Sequence, residues 1–476
     1  MDQAPHVIIL GAGASGLSLA WRLATNGVRV DVLESTEIVG GLAGTVRKDG
    51  YSLDFGPHSF FTEDDQILSA TLGLFEPPLT PLPRTVKFYY RGGYLDYPLT
   101  PTNVLLQMGL LAGFRATFSF LYSKLSPKKR TVRDGEDQTV EQWAIDNFGR
   151  YLYESFFKPY TEQFWKVPCT ELSARSIPSH TRTSFMNTLK VLLRRRLSKV
   201  DPSLVEREKL PTYYPRTGYG EITENIAAKI EAAGGKIHLN SRATQVSELS
   251  DGLVGVTFEK RSGQTEVIEG TYVVSTIPLH LFVDMLSPAA APEVLESTNH
   301  LDYRAMVTLG LVTERQDVLP CSYIYHLDRP YNRITEMNKF HPDTSPPGEN
   351  ILLLEVCCLR GSAGWNATKE ELFDMCAASL AADRIITAGD VTKLLILKAP
   401  YAYPIYRKDY AGHLKRLLGE VERRSNMATL GRTGEFMYMD SDKCIRRGFD
   451  FGDRLLEEFG ITPSPQPGTP EAPVRP

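Results

Sequence analysis

Three glycines and one carboxylate near the N-terminus carry the first readable chemistry. Gly11-Ala-Gly13-Ala-Ser-Gly16 is followed by Glu34, 23 positions after Gly11. Gly11 permits a sharp turn, and Gly13 lets backbone approach a pyrophosphate. Gly16 lets a helix pack on a strand while its N-terminal amides face the phosphates. A carboxylate at Glu34 can accept hydrogen bonds from both hydroxyls of an adenosine ribose, and it disfavours a 2′-phosphate there. The set reads as a dinucleotide cradle, for NAD or for FAD.

Such a cradle needs strand, turn, helix and second strand in that order. His6–Leu10 (HVIIL) is apolar and β-branched, 17–23 has helical spacing, and 28–33 (VRVDVL) is a second strand ending at Glu34. The pattern returns later in the chain. Residues 221–233 are amphipathic, Gly234-Gly235 ends them, and 236–246 reads as a strand with its exit. Segments 252–258 and 265–272 suggest a hairpin or meander, and 272–279 a buried strand closed by Pro278. Between these parts, 94–122 and 140–164 read as mainly helical and 124–138 as a charged surface loop. Arg194-Arg-Arg196 reads as a solvated helix face. Stretches 308–312, 323–326 and 351–359 are strand-like, 441–459 is a last helix, and the proline-rich residues after Thr462 form a flexible tail.

With 476 residues and 42% apolar content the chain exceeds a single small module, and a net charge of −4 excludes a strongly basic nucleic-acid binder. Six cysteines without a CxxC support neither a disulfide framework nor a zinc site, so no metal is expected. The N-terminus has no basic segment followed by an apolar one, so no secretory signal is readable and the cytoplasm is the expected setting. Only 104–122 (VLLQMGLLAGFRATFSFLY) raises a membrane question. Gln107 and Arg115 near its middle argue against a span. A buried or pocket-lining helix is expected, with a helix lying on a membrane or an apolar ligand as the alternative.

What separates FAD from NAD is the next segment. Val39-Gly-Gly-Leu-Ala-Gly44, Tyr51-Ser-Leu-Asp-Phe-Gly-Pro-His58 and Phe60-Phe-Thr62 resemble the second fingerprint of the flavin amine oxidase and UDP-galactopyranose mutase superfamily. Further on, Phe157-Lys-Pro-Tyr-Thr-Glu-Gln-Phe-Trp165 and Glu171-Leu-Ser-Ala174 resemble the signature of the mutases and of their protoporphyrinogen-oxidase-like bacterial relatives. The resemblance runs from Val7 to about Phe459. It implies an α/β fold with a Rossmann-type FAD-binding domain assembled from discontinuous segments, 1–90, 211–285 and 411–460. It also implies a mainly helical domain, 91–210, and an antiparallel-sheet substrate domain, 286–410, with 461–476 as the tail.

Carried over residue by residue, the resemblance implies Gly40 and Gly41 at the pyrophosphate, Gly56 and His58 beside the flavin ring, and the strand ending in Val246 as an adenine-side wall. Arg304 would lie on the flavin side, with Arg432 and Asp440 as a flavin-binding pair. Arg182 and Arg333 would meet a substrate diphosphate, Tyr160, Tyr403 and Tyr438 would donate to it, and Trp165 would floor a sugar site. The family's arginine inside the GG loop is missing. Phe61 stands where mutases carry a second histidine, and Lys166 where they carry a glycine. Three readings follow. One is a nucleotide-sugar pyranose/furanose mutase requiring reduced FAD, the second an FAD-dependent oxidoreductase acting on an apolar substrate, and the third an FAD-binding scaffold without turnover. The expected partner is a small molecule and not a nucleic acid, with peripheral membrane contact through 104–122 left open.

Overall fold

A computed structural model describes residues 4–90, 92–96, 110–125, 138–177 and 210–469. The chain divides into two compact units, Met1–Leu82 with Pro211–Leu301 and Gly412–Pro476, and Pro83–Leu210 with Asp302–Ala411.

The first unit is built on a five-stranded parallel sheet ordered Met427–Thr429, Tyr272–Ser275, His6–Leu10, Arg29–Leu33 and Lys236–His238. His6–Leu10 lies at its centre and is buried throughout, as a strand covered on both faces must be. Helices Ala14–Ala24 and Ser441–Glu458 pack closely because Gly448 faces Ser18, where a Cβ would lie 2.0 Å from the hydroxyl. The expected strand 236–246 is two strands in different sheets. Asn240, at φ +52°, turns the chain between Lys236–His238 and Ser241–Glu248, and the latter joins Val254–Lys260, Thr265–Gly270 and Leu286–Ser287. The tail expectation is corrected as far as Thr469. Arg22, 1% exposed, bonds Asp453 and the Ser464 and Pro465 backbone, which fastens 464–465 through polar contacts that no apolar pattern announces.

The second unit holds a seven-stranded sheet ordered Lys393–Pro404, Tyr303–Thr313, Asn350–Cys358, Arg333–Glu336, Tyr323–His326, Val86–Tyr90 and Gly93–Asp96. All its pairs are antiparallel except Tyr323–His326 with Val86–Tyr90. Helix Lys369–Ala382 covers it through Leu372, Cys376 and Leu380. A helical group, Leu110–Leu125, Val140–Phe148 and Lys158–Trp165, completes the unit. Segments 91–210 and 286–410, expected as two domains, therefore fall mostly within one unit. The hairpin Val86–Tyr90 and Gly93–Asp96 joins its sheet, so the start of 94–122 is strand and not helix.

Leu110–Leu125 is not the buried helix expected there. Ala116 is buried, and Ser119 Oγ accepts from the Tyr151 N–H at 3.0 Å, while Phe114 and Phe118 are each 74% exposed. No helix among the described residues is long and apolar enough to cross a membrane.

Candidate functional site

In the first unit the three glycines of the turn have separable duties. Gly11 has φ +98°, and a Cβ there would meet the Thr276 hydroxyl at 2.6 Å. At Gly16 a Cβ would lie 2.1 Å from the Gly11 carbonyl oxygen. Both are required by the fold itself. Gly13 is different, because a Cβ there has no protein atom within 4 Å and its φ of −77° suits any residue. Gly13 is also the N-cap of Ala14–Ala24 and supplies no side-chain cap, so the first amides of that helix point from an open edge. Open space over uncapped amides suits a phosphate group.

The GG loop is stitched to this turn. The Gly40 N–H donates to the Ala12 carbonyl at 2.7 Å, Gly40 and Gly13 pair as a β-bridge, and a Cβ on Gly41 would stand 3.4 Å from the Gly13 Cα. Glu34 is 8% exposed. Its Oε2 accepts from the Ala12 N–H at 3.0 Å, while Oε1 accepts from the Thr36 N–H and hydroxyl at 2.9 Å each. Oε2 keeps a lone pair for a ribose hydroxyl, since a carboxylate oxygen accepts two bonds.

Farther along, the Gly56 carbonyl accepts from the His58 N–H at 2.8 Å, and the His58 ring lies 5.0 Å from that of Tyr219. Beneath this segment is a residue the sequence reading passed over. Asp54 is fully buried and accepts from the hydroxyls of Tyr214, at 2.8 Å, and of Thr45, and from the Tyr219 N–H at 3.3 Å. Burial outweighs these bonds and pushes its carboxyl up to about 6. The signal was present in YSLDFGPH, a charge in an otherwise inward-facing strand.

Arg432 and Asp440 occupy one corner of the same unit. Arg432 Nη1 donates to the Met439 carbonyl at 3.2 Å, and its guanidinium lies 4.8 Å from the centre of the Tyr438 ring. The Tyr438 hydroxyl donates to Asp440 at 3.3 Å, and Asp440 is the N-cap of Ser441–Glu458. Within this unit Tyr438 therefore packs with Arg432 and Asp440. Val246 is corrected. It is 0% exposed with its N–H donated to Met285, so it is a core residue and not a surface that a cofactor can touch.

The second unit gathers Tyr160, Trp165, Arg333 and Tyr403. The Tyr160 ring stacks 6.1 Å from Phe164, and Phe164 meets Tyr403 edge-on at 5.5 Å. Trp165, 8% exposed, lies 6.3 Å from Tyr403 and packs in the helical core. Phe88 joins Tyr160 to Tyr325, and the Tyr325 hydroxyl bonds Arg333 at 3.2 Å. Arg333 is not a bare cation, since its Nε and Nη2 donate to both oxygens of Glu355 at 2.6 and 2.7 Å. Burial opposes its charge, but Glu355 and Tyr325 overcome that and hold its pKa well above the ordinary value. Glu355 was legible in principle, as one acid inside the apolar run ILLLEVCC.

Arg304 is fully buried in the same cluster. Its guanidinium lies against both the Phe164 and Tyr403 rings, 3.9 and 4.1 Å from their centres, and its Nη1 donates to the Phe164 carbonyl and Cys357 Sγ. At 0% exposure it holds the two rings, and its Nε and Nη2 are buried without a hydrogen-bond partner. Lys166 has φ +57° at the end of Lys158–Trp165, the left-handed conformation that favours glycine there, so this departure is first a backbone matter. Arg182 lies outside the described residues.

This unit also buries His326, whose Nδ1 is 3.8 Å from Asp383 and whose ring packs on Tyr89 and Tyr331. Burial drives its pKa down from 6.5 to about 4, despite Asp383 pulling the other way. The unfolded chain therefore binds this proton first, and stability falls as the pH drops from 6.5 toward 4, by up to about 3 kcal/mol. His326→Phe should flatten the urea midpoint across that range, and an unchanged slope would assign the acid sensitivity elsewhere.

The chain is similar to known proteins in sequence and in fold. The chain is 24% identical to a probable UDP-galactopyranose mutase of Klebsiella pneumoniae over 457 residues, 95% of this chain and 94% of that protein. It is 24% identical to the chloroplastic protoporphyrinogen oxidase of Nicotiana tabacum over 306 residues, 61% of this chain and about half, 54%, of that protein. Its fold is similar to that of reduced UDP-galactopyranose mutase, with a TM-score of 0.75 at 19% identity, covering 96% of this chain and 94% of that one. The family model for flavin-containing amine oxidoreductases matches residues 14–384. The cofactor is FAD, and the open edge at Gly13, the uncapped amides and Glu34 fit its pyrophosphate and ribose. The chain belongs to the flavin-containing amine oxidoreductase family.

Proposed function

We propose that this flavoenzyme is a nucleotide-sugar mutase that interconverts pyranose and furanose forms while its FAD is reduced. The observation that carries the reading is the gathering of Tyr160, Trp165, Arg333 and Tyr403, from separate motifs, into one aromatic and cationic cluster of the second unit. A leaving nucleoside diphosphate gains negative charge, and phenols with a guanidinium stabilise it without a competing proton acceptor. The match along almost the whole length of a mutase supports the same reading. In this proposal Arg333, Tyr160 and Tyr403 bind the diphosphate, joined by Arg182, and Trp165 backs the sugar. His58 holds the ring region, and Tyr438, with Arg432 and Asp440, lines the cofactor side. Reduced FAD, when bound, supplies the electron-rich centre that the ring opening needs.

A second reading is favoured by one contact. Glu355 neutralises Arg333, and a site whose cation is already paired also suits an uncharged, apolar substrate of an FAD-dependent oxidoreductase. Anaerobic incubation of dithionite-reduced enzyme with UDP-hexoses, followed by chromatography, separates the two. Appearance of a ring isomer without net consumption of reductant is the expected result. Absence of any isomer, together with reduction of oxidised FAD by a porphyrinogen or polyene, would replace the mutase by the oxidoreductase.

A further inference from the structure

Helix Leu110–Leu125 has two faces of opposite character. The inner face docks on the neighbouring helices. Ala116 is 2% exposed, Ser119 accepts from the Tyr151 N–H, and Gly149 must lack a side chain because a Cβ there would lie 2.7 Å from the Phe120 amide nitrogen. The outer face repeats at helical spacing and is apolar, with Phe114 and Phe118 at 74% exposure, Tyr122 at 69% and Leu121 at 48%. No other helix or strand of the described residues exposes four large apolar side chains at such spacing. Four together on one stripe form a patch that a soluble monomer ordinarily avoids.

Charge bears on what could cover it. Arg115 is exposed beside Phe114, and between Asp96 and Asp134 the sequence contains Arg115, Lys124, Lys128, Lys129, Arg130 and Arg133 and no acid, the acids resuming at Asp134, Glu136 and Asp137. In a chain whose net charge is −4, a stretch of one sign is a local departure, and Arg115 lies within the aromatic stripe while the other five cations follow it in sequence. Phenylalanine, leucine and tyrosine on one face with flanking cations is the composition of a helix that lies in the plane of an anionic membrane surface, aromatic rings in the acyl boundary and cations at the headgroups. A protein partner would need acidic groups matched to the cations, whereas a lipid surface supplies negative charge at any orientation.

We infer that this helix is a monotopic docking element for anionic lipid bilayers, seating Phe114, Phe118, Leu121 and Tyr122 in the interface. The inference is independent of the reaction class, because its readout is binding and not turnover.

The test uses full-length FAD-loaded protein and co-sedimentation with vesicles of phosphatidylcholine alone or of equal parts phosphatidylcholine and phosphatidylglycerol. Wild type should pellet with the mixed vesicles and remain mostly in solution with phosphatidylcholine alone. Phe114→Ser with Phe118→Ser should lower binding to the mixed vesicles by about tenfold or more, as the loss of two interfacial aromatic rings implies. Arg115→Glu should weaken binding most at low salt. Val267→Ser, at a residue 60% exposed on strand Thr265–Gly270, is the control and should bind as wild type. The substituted side chains are exposed, so an unchanged thermal midpoint checks folding. Failure of wild type to pellet with mixed vesicles would overturn the inference, as would undiminished binding by the double variant. A wild-type dimer in light scattering that the double variant abolishes, without vesicle binding, would instead assign the face to a second copy of the chain.

Discussion

Replacing Gly13 by valine should leave a folded protein that no longer holds FAD. The two other glycines of the turn are demanded by protein atoms, 2.6 Å away at Gly11 and 2.1 Å at Gly16, so substitution there breaks the unit before it reports on a ligand. At Gly13 nothing of the protein lies within 4 Å of a Cβ, and the extended backbone accepts a branched residue. The new methyls should enter the open space expected to take the pyrophosphate. FAD that binds the native state at a thousand times its Kd adds about 4 kcal/mol of stability, and that increment should vanish in Gly13→Val while the melting of apo-protein stays as in wild type. Flavin absorbance after gel filtration and paired thermal melts with and without added FAD measure both halves. Full flavin retention by the variant would remove Gly13 from the cradle. Loss of apo stability would show instead that the turn itself needs glycine at this position.

The second large effect is at Arg333, and it has two components that one substitution mixes. Glu355 is 3% exposed and both its oxygens are held by Arg333, so Arg333→Ala strands a buried carboxylate. Breaking such a pair from one side costs about 3–5 kcal/mol of stability. If Arg333 also meets a diphosphate, turnover of a nucleotide sugar should fall by about a hundredfold beyond the unfolding loss. Arg333→Met with Glu355→Leu separates the two, because removing both charges restores stability near that of wild type without restoring a cation. Denaturation midpoints recovered with activity still lost is the expected pattern. Recovery of activity along with stability would reduce Arg333 to a structural ion pair and move the balance toward an uncharged substrate.

The sequence determined those parts of the protein whose cause is local. GAGASG followed by an acid at the strand end has its strand, helix and Glu34 contacts where the spacing puts them, because turn geometry and helix-end amides depend on residues within one βαβ unit. The long apolar runs at 303–313 and 350–358 became central strands for the same reason, their composition leaving no face for water. What the tertiary structure alone decided are partnerships between distant residues. Arg304 is enclosed by Phe164, 140 positions away, and by Tyr403. Arg333 looked like an open cation until strand pairing of Arg333–Glu336 with Asn350–Cys358 put Glu355 directly opposite it. Val246 passed from wall to core when the chain turned at Asn240 and changed sheets. The side of Leu110–Leu125 that meets solvent was set by Gly149, where the close approach of backbone fixed which face docked. A residue type and its spacing specify what a side chain can do. Whether its charge is paired, buried or presented depends on neighbours brought in by chain closure, over 22 residues for Arg333 and Glu355 and 140 for Arg304 and Phe164, and sequence spacing does not encode them.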